Sequence, residues 1–522
     1  MVRVAILILL FIPSLWFAYE YRDMPSFGYY HDDGLYFVGA KTLAQSGSYR
    51  IASFPGEPAQ TKYPPLLSAW HALAWWIQPD FPATLGVAIW LQWIWLPVFA
   101  WLTWILLKDW GMSGNARFIV MVMFALSPYL LFFSTAILSE IPFGVFVAAT
   151  MLLLNRGRII PAALCAGLAY LTRTAGIVLI VSVPAVLWIW EKRRKEAVQF
   201  AVTLLPFIAA WMLWSKANRP ASPNELLLYL TDYLGYHFGV FTLGDAHLFL
   251  WKNADMLLQA AGAFILPLIY GGQIATITTQ VMGVAAIAGA VRLTLAPHGR
   301  ARQFGIFAGI YAAILLLWSF PPNERFLLPL APFFLAGFVV EFSRVFVAMR
   351  KSFQHKDASQ RGAAYGIAAF VALLLLFCLY TQLQVRYELM PLAMAKERER
   401  TRDLAPMYQW IRANTPETAK FLVGYDTVFH LHTGRHGSYQ SVSPIGWYRD
   451  SQDPARFDAE AYARKYGFDL ILWTPTDRRN DATFEEQVAI GRKLADSKTL
   501  KLLHEERNAY LFALLPVDGK RE

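Results

Sequence analysis

The sequence predicts an α-helical polytopic membrane protein that carries a small α/β domain at its C-terminal end. Three observations predict this architecture. The 522-residue chain is 56% hydrophobic. Its apolar residues fall in runs long enough to cross a bilayer. Residues 385–522 instead alternate helix-like and strand-like segments. This composition excludes both an ordinary soluble protein and a disordered one.

The apolar runs predict about eleven transmembrane helices, because a helix needs about 20 apolar residues to cross the hydrocarbon core. The predicted spans cover residues 4–22, 85–107, 118–137, 142–154, 159–172, 174–190, 197–214, 273–295, 304–320, 326–347 and 363–384. The first run resembles a signal peptide, but no clear cleavage site follows it, so we expect an uncleaved helix.

The positive charges orient these spans. Basic loops occur at residues 108–117, 155–158, 192–195, 298–302 and 350–361. With eleven spans and a cytoplasmic N-terminus, all five loops lie on the cytoplasmic side, as the positive-inside rule requires. The formal net charge of +10 is therefore explained by the cytoplasmic loops, and it does not indicate a nucleic-acid partner. We expect a multi-pass protein of the bacterial inner (plasma) membrane whose C-terminal domain is extracytoplasmic.

Two long loops are predicted on the outer face. The first, residues 20–84, contains a helix from about Asp33 to Gln45 that ends at Gly47. A second helix begins at Pro64-Pro65 and continues through several tryptophans, which are typical of the bilayer interface. Both are expected to lie on the membrane surface. The second loop, residues 215–260, alternates aromatic and polar residues and is also expected at the interface.

The remaining boundary separates a transmembrane domain (1–384) from the outer α/β domain (385–522). The outer domain is predicted to contain helices at 403–413, 455–465 and 484–495, strands at 420–425 and 468–473, and two final strands. It also holds a polar cluster around His430, His432, Arg435 and His436, in which Arg435 is a candidate for substrate contact. Zinc is disfavoured there because no cysteine or acidic residue has metal-site spacing.

The chemistry-bearing residues are concentrated in the first external loop, at His31-Asp32-Asp33. One carboxylate suffices to cap the following helix. On a helix Asp32 and Tyr36 share a face, whereas Asp33 is turned about 100° away, so one carboxylate can cap the helix while the other faces a substrate as a general base toward a hydroxyl. The three residues could alternatively ligate Mg or Mn, although consecutive side chains rarely converge on one ion.

Lys62 and Tyr63 lie later in the same loop, beside the two prolines. A lysine at a membrane border can simply extend its ammonium group into water. Its functional alternative is to neutralise a phosphate close to the carboxylate, where a departing lipid phosphate would be stabilised. No glycine-rich nucleotide loop accompanies it.

The pattern Asp32-Asp33-(x)2-Tyr36 followed by Lys62-Tyr63-Pro64-Pro65-Leu66 resembles the first external loop of the C superfamily of glycosyltransferases (GT-C). It is most similar to the branch of protein O-mannosyltransferases and lipid A aminoarabinose transferases. Three further segments resemble motifs of that family in the same order: Leu138–Pro142, Gly167–Arg173 and Glu324–Pro329. The sequence departs from the family pattern at two positions, which bear on the identity of the sugar and of the acceptor. Asp33 stands where the family commonly has Glu, and Tyr63 separates the lysine from the proline.

The resemblance implies an inverting glycosyltransferase that uses a polyprenyl-phosphate sugar and an extracytoplasmic lipid, glycan or protein acceptor. It implies that Asp32 is the catalytic carboxylate and that Lys62 binds the donor phosphate together with arginines, for which Arg173 and Arg325 are candidates. Asp33 and Glu140 are expected as supporting carboxylates, and His31, Tyr36 and Tyr63 are expected to line the pocket. No nucleotide is needed for this chemistry, and a divalent cation (Mg or Mn) stays an open alternative.

Each of these residues keeps a structural alternative: Glu140 as a helix-terminal residue, and each arginine as a structural ion pair. A transporter or flippase of lipid-linked or free sugars is the competing class of protein. The chain shows neither the paired repeats nor the broken helices typical of transporters.

Overall fold

The computed structural model describes residues 2–221, 223–232, 235–236, 243–267, 272–296, 300–353, 358–439, 448, 458–474 and 484–516. Helices dominate these residues. In the membrane part they are Val2–Glu20, Asp32–Ser46, Leu66–Ile77, Leu85–Trp93, Trp95–Asp109, Gly114–Leu126, Pro128–Phe133, Glu140–Asn155, Ile159–Thr172, Ile177–Ala185, Arg194–Asn218, Glu225–Thr231, Ala246–Ala263, Gln273–Leu295, Arg302–Leu316, Glu324–Leu327, Ala331–Phe353 and Ala358–Gln384.

Five helical segments of the described chain are long and apolar enough to cross a membrane, and several shorter apolar helices accompany them. Their outward faces expose large apolar side chains, such as that of Ile274, which only a lipid environment solvates well. The bundle interior is closely packed. A Cβ added at Gly289 would come within 1.9 Å of the carbonyl oxygen of Gly337, so Gln273–Leu295 and Ala331–Phe353 cross backbone to backbone.

Two segments differ from the predicted spans. The run predicted at 118–137 is interrupted: one helix ends at Leu126 and a short one covers Pro128–Phe133. Pro128 explains the break, since proline disfavours helical backbone in the residue before it. The predicted loop 215–260 contains most of the helix Ala246–Ala263, whose Asn253 donates hydrogen bonds to backbone carbonyls of Leu316 and Trp318. Its polar residues obscured a helix that is packed within the bundle.

The two helices of the first external loop form with nearly the predicted bounds. Asp32–Ser46 ends at Gly47, which adopts the left-handed conformation expected of a C-terminal glycine. The second helix begins directly after Pro65. In the first helix, the eight consecutive residues from Asp33 to Ala40 are all buried by protein. Protein covers the first half of this helix, whereas its last residues, Gln45 and Ser46, are exposed. Its position relative to the bilayer surface stays a prediction.

The outer domain contains a mixed sheet of five strands among the described residues: β1 (Lys420–Leu422), β2 (His436–Ser438), β3 (Leu470–Trp473), β4 (Leu500–Glu506) and β5 (Ala509–Leu514). Their order is β2-β1-β3-β5-β4, with β1 parallel to β2 and β3, and β5 antiparallel to β3 and β4. The accompanying helices are Met390–Asn414, Asp426–Thr433, Ala459–Tyr466 and Phe484–Ala495.

The sheet pairings have a local cause. The buried strand β3 (Leu470–Trp473) forms the centre because both of its faces are apolar.

The membrane part and the outer domain are joined in two ways. Helix Ala358–Gln384 continues through a π-helical turn, Val385–Leu389, into Met390–Asn414 without a break. In addition, β2 contacts the first external loop, where the Gly437 N–H donates to the Ser53 carbonyl at 2.8 Å. The helix Asp426–Thr433 packs on Asp32–Ser46. The outer domain therefore rests directly on the loop that holds the candidate residues.

Candidate active site

Five separate segments bring five charged side chains together. Asp32 begins a helix, Lys62 lies in the connection before Leu66–Ile77, and Glu140 begins the helix Glu140–Asn155. Arg173 interrupts the apolar run after Ile159–Thr172, and Arg325 lies in the short helix Glu324–Leu327. All five residues are at helix ends or in connections, where side chains of different segments can meet.

Asp32 is held from both sides by hydrogen bonds. Arg325 Nη2 donates to Oδ2 at 2.5 Å, and the Tyr63 hydroxyl donates to Oδ1 at 2.5 Å. Burial alone would favour the protonated acid. The positive charges of Arg325 and Lys62, with the Tyr63 hydrogen bond, outweigh it and hold the pKa of Asp32 well below its usual range. Asp32 is therefore an ionised, oriented carboxylate.

The Glu140 carboxylate links the guanidinium groups of Arg173 and Arg325. Its Oε1 accepts from Arg325 Nε at 2.5 Å and from Arg173 Nη1 at 2.7 Å, and its side chain is fully buried. Arg173 also donates to the hydroxyl of Ser139, which in turn accepts from the Tyr36 hydroxyl. A carboxylate removed from water requires such partners, and here it fixes the direction of both guanidinium groups.

Lys62 is 2% exposed and lies between aromatic rings. Its Nζ is 3.6 Å from the ring centroid of Tyr229 and 5.1 Å from that of Tyr63. Burial lowers the pKa of Lys62 to about 7, although the charge of Asp32 opposes this shift. The ammonium group is thus only partly protonated near neutral pH until another anion approaches.

These side chains line two adjoining cavities. The smaller, of about 170 Å³, is bounded by Asp32, Lys62, Arg173 and Arg325 together with tyrosines 36, 63 and 229. The larger, of about 590 Å³, is mostly apolar and is walled by the helices around Trp211 and Leu315. Lys62 and Arg173 line both cavities, so the charged end of the larger one opens at Asp32.

Asp33 and His31 face other partners. Asp33 is buried and accepts hydrogen bonds from the N–H groups of Gly28 at 2.8 Å and Gly34 at 2.9 Å. Burial raises its pKa to about 6, although both hydrogen bonds oppose this shift. His31 Nε2 lies 3.0 Å from Asp426 Oδ1 of the outer domain.

The three consecutive side chains therefore point to three different surroundings and do not converge on one ion. Among the described residues, no group of three or more His, Cys, Asp or Glu side chains is placed to hold a metal ion.

The structure places Arg435 away from both cavities. It is buried inside the outer domain, where its guanidinium group donates to the backbone carbonyls of Arg412 at 2.9 Å and Thr415 at 2.8 Å. Of the residues predicted for the pocket, Tyr36 and Tyr63 line it, whereas His31 does not.

Several lining residues were not predicted from the sequence, chiefly Tyr229, Trp318, Phe320 and Phe326. Tyr229 comes from the helix Glu225–Thr231 in the second external loop, where alternating aromatics gave only a general signal. The others flank the Pro321–Arg325 turn and carry no charge that would mark them. The hydrogen bond from Tyr63 to Asp32 was likewise not foreseen, although Tyr63 stood out as a departure from the family pattern.

Comparison with solved structures gives the fold class. The crystal structure of ArnT from Cupriavidus metallidurans bound to undecaprenyl phosphate matches with a TM-score of 0.55 at 13% identity, covering 97% of each chain. The apo form of that protein matches with a TM-score of 0.52 at 12% identity, over 92% of this chain and 93% of the other. The chain thus has the fold of this ArnT over nearly its full length, in agreement with the fold that the resemblance to GT-C proteins implied.

A second solved protein agrees with this class. The apo oligosaccharyltransferase of Archaeoglobus fulgidus matches with a TM-score of 0.53 at 14% identity, over 91% of this chain and 69% of the other. No protein-family model matches the sequence, and no curated protein matches it. Together with the apolar helices, these structures identify a multi-pass membrane protein.

Proposed function

We propose that this protein transfers a sugar from a polyprenyl-phosphate donor to an extracytoplasmic lipid, glycan or protein, with inversion at the sugar carbon. The observation that carries the proposal is the junction of the two cavities. There an ionised carboxylate and three cations meet the mouth of an apolar channel. A lipid-linked phosphate sugar has matching parts: an apolar chain, a single negative charge and a sugar beyond it.

The charges fit a phosphodiester. When all five side chains are ionised, Lys62, Arg173 and Arg325 exceed Asp32 and Glu140 by one positive charge. A phosphodiester group carries one negative charge. Its arrival balances the cluster and also returns Lys62 to its charged form, since an adjacent anion favours the ammonium group. The same cations stabilise the charge that develops on the departing phosphate.

The larger cavity fits the lipid chain. Its walls include Ile177, Trp211, Leu213, Ile314 and Leu315, which offer an apolar surface between helices. The solved ArnT structure of the same fold is bound to undecaprenyl phosphate. We infer that a polyprenyl chain occupies the corresponding space here and that its phosphate reaches Lys62 and Arg173.

Asp32 is the proposed base. The acceptor hydroxyl oxygen bonds to the sugar carbon, its proton passes to a carboxylate oxygen of Asp32, and the bond from that carbon to the phosphate oxygen breaks. Polyprenyl phosphate leaves with the bonding electrons. In the present arrangement Arg325 and Tyr63 occupy both carboxylate oxygens. A bound phosphate shares the charge of Arg325, which restores basicity to Asp32.

The proposed site lies on the extracytoplasmic face of the membrane. The five basic loops predicted on the opposite side support this orientation. The enzyme would work at the bacterial plasma membrane, with the outer domain above the acceptor side. Acceptor and sugar are first identified in a deletion strain by mass spectrometry of lipid-linked sugars and surface glycans. The donor accumulates, and the glycan or lipid that loses a residue is the acceptor.

The test uses purified protein in nanodiscs, supplied with that accumulated donor and with membranes of the deletion strain as acceptor. We expect release of free polyprenyl phosphate, and a loss of about 10²- to 10⁴-fold in rate in Asp32→Asn, since a general base typically contributes this much. Asp403→Asn is the matched control, because it alters an exposed carboxylate of the outer domain. Full activity in Asp32→Asn, or movement of the sugar lipid across vesicles without bond cleavage, would contradict the proposal.

A further inference from the structure

Asp32 follows a strained turn of the backbone. His31 has φ of 60° and ψ of −44°, and the Asp32 N–H donates to the Tyr30 carbonyl at 2.6 Å. This is the three-residue γ-turn in its less favourable hand, which is rare for residues with a side chain. A strained turn persists only where its surroundings hold it in place. The groups that hold this turn therefore also set the direction of the Asp32 carboxylate.

Part of the support comes from the loop itself. The Asp33 carboxylate bridges the N–H groups of Gly28 and Gly34, which stand on either side of the turn. This bridge closes the loop from one side. It does not contact the His31 side chain, whose ring extends in the direction of the outer domain.

The rest of the support comes from the outer domain. His31 Nε2 lies 3.0 Å from Oδ1 of Asp426, a fully buried carboxylate in the first turn of the helix Asp426–Thr433. The ring of Tyr439 lies 4.2 Å from that of His31, centroid to centroid. The distance places the His31 ring within ion-pair reach of this carboxylate, without the alignment of a hydrogen bond, and the two side chains contact each other directly.

The same helix also packs on the backbone on both sides of the turn. A Cβ added at Gly34 would lie 1.9 Å from Thr427 Oγ1 and 2.6 Å from Thr427 Cβ. A Cβ added at Gly28 would lie 2.3 Å from Val428 Cγ2. The outer-domain helix thus touches the catalytic loop at Gly28, His31 and Gly34, with no space for a larger side chain at either glycine.

We propose that the outer domain positions the catalytic carboxylate: Asp426, acting through His31, holds the γ-turn that presents Asp32 to the acceptor. Asp426 is a positioning residue and touches no substrate in this scheme. The inference rests on the proposed function of Asp32. It assigns to the outer domain the positioning of the catalytic carboxylate. It predicts that a residue far from Asp32 in sequence controls turnover without controlling donor affinity.

The test measures three variants in nanodiscs: Asp426→Asn, His31→Gln and the double variant. The probes are the lipid-linked sugar from the deletion strain for turnover and undecaprenyl phosphate for affinity. We expect kcat to fall by roughly 10- to 100-fold in each single variant, as a misplacement of about 1 Å does. The double variant should be no slower than the slower single one, because both changes remove the same contact. Affinity for undecaprenyl phosphate should change less than about threefold.

The matched control is Asp458→Ala. Asp458 caps the helix Ala459–Tyr466 of the same domain by accepting a hydrogen bond from the Ala461 N–H. This contact lies within its own helix and does not involve the γ-turn. Its loss weakens the domain without touching His31. Three results would each overturn the proposal. They are wild-type turnover in folded Asp426→Asn, an equal loss of turnover in Asp458→Ala, and additive losses in the double variant. Full activity in Asp32→Asn would overturn the proposed function. Loss of activity in Asp32→Asn with wild-type turnover in Asp426→Asn would overturn only the positioning role of the outer domain.

A pair of variants tests the contact in the opposite direction. Gly34→Ala should displace the helix Asp426–Thr433 and lower kcat, whereas Gly34→Ala combined with Thr427→Gly removes the colliding atoms and should recover most of the rate. Thr427→Gly alone measures the cost of a glycine in that helix. Recovery supports positioning by this helix, and equal activity of Gly34→Ala and wild type overturns it.

Discussion

The buried ammonium group of Lys62 gives the proposed donor site a distinctive pH dependence. Burial lowers its pKa to about 7, whereas a phosphodiester stays ionised across the neutral range. Only the protonated lysine offers the donor a full positive charge. Donor binding should therefore be strongest below pH 7 and should weaken as the pH rises through the pKa of Lys62. Because the bound donor favours the charged form of Lys62, the pH dependence arises in the free enzyme and appears in kcat/KM.

The size of the effect follows from the charged fraction. A group with a pKa of about 7 is about 90% charged at pH 6 and about 10% charged at pH 8, and apparent affinity scales with that fraction. We expect kcat/KM for the donor to fall roughly tenfold between these values. The upper limit is the contribution of one charge-assisted hydrogen bond, about 1.5–3 kcal/mol, or about 10- to 150-fold.

The assay is a pH series of initial rates at low donor concentration, with Lys62→Arg as the control. Arginine keeps its charge across this range, so the variant should show a flat profile. Asp33 has a pKa of about 6 and remains in the variant, so any dependence due to that group would persist. Asp32 does not titrate here, since its pKa is held well below its usual range. An equal slope in wild type and Lys62→Arg would refute the assignment.

Three further predictions concern stability and the lipid channel. Glu140→Gln leaves two buried arginines without their shared carboxylate and should cost about 3–5 kcal/mol, read as a lower unfolding temperature in detergent. Glu20→Gln, in an exposed pair, is its control, and equal midpoints for the two would contradict the reasoning. Arg435→Met leaves buried carbonyls unpaired, so the free energy that protects outer-domain amides from hydrogen exchange should fall by about 1–3 kcal/mol. A raised KM for the acceptor with unchanged hydrogen exchange would instead support substrate contact by Arg435. Ala175→Trp narrows the apolar cavity and should raise KM for long-chain donors by about tenfold while sparing short-chain analogues, and equal effects on both would argue against a lipid channel there.

The sequence allowed the local features to be predicted, because their causes are local. Gly47 ends a helix through its own left-handed conformation, and Pro65 precedes a helix because proline fits the first turn. Asp32 and Lys62 could be proposed as partners because they share one loop. The break at Ser127 was missed because hydropathy outweighed the effect of the following proline.

The tertiary arrangement of the site could not be predicted in the same way. Nothing in the spacing shows that one carboxylate, Glu140, binds both Arg173 and Arg325, which come from distant segments. Tyr229 faces the Lys62 ammonium group with its ring, and aromatic residues are too frequent in this chain for the sequence to single one out. A strand and a helix of the outer domain likewise meet the first loop only after folding.

The uninterrupted helix from Ala358 to Asn414 makes the spacing between membrane and outer domain a fixed dimension of the molecule. One residue added to a helix rotates everything beyond it by about 100° and lifts it by about 1.5 Å. A flexible tether would absorb such an insertion, whereas this rod would carry Asp426 around the axis and away from His31. Relatives of this chain should therefore vary freely in the length of their surface loops while conserving the residue count of this one segment.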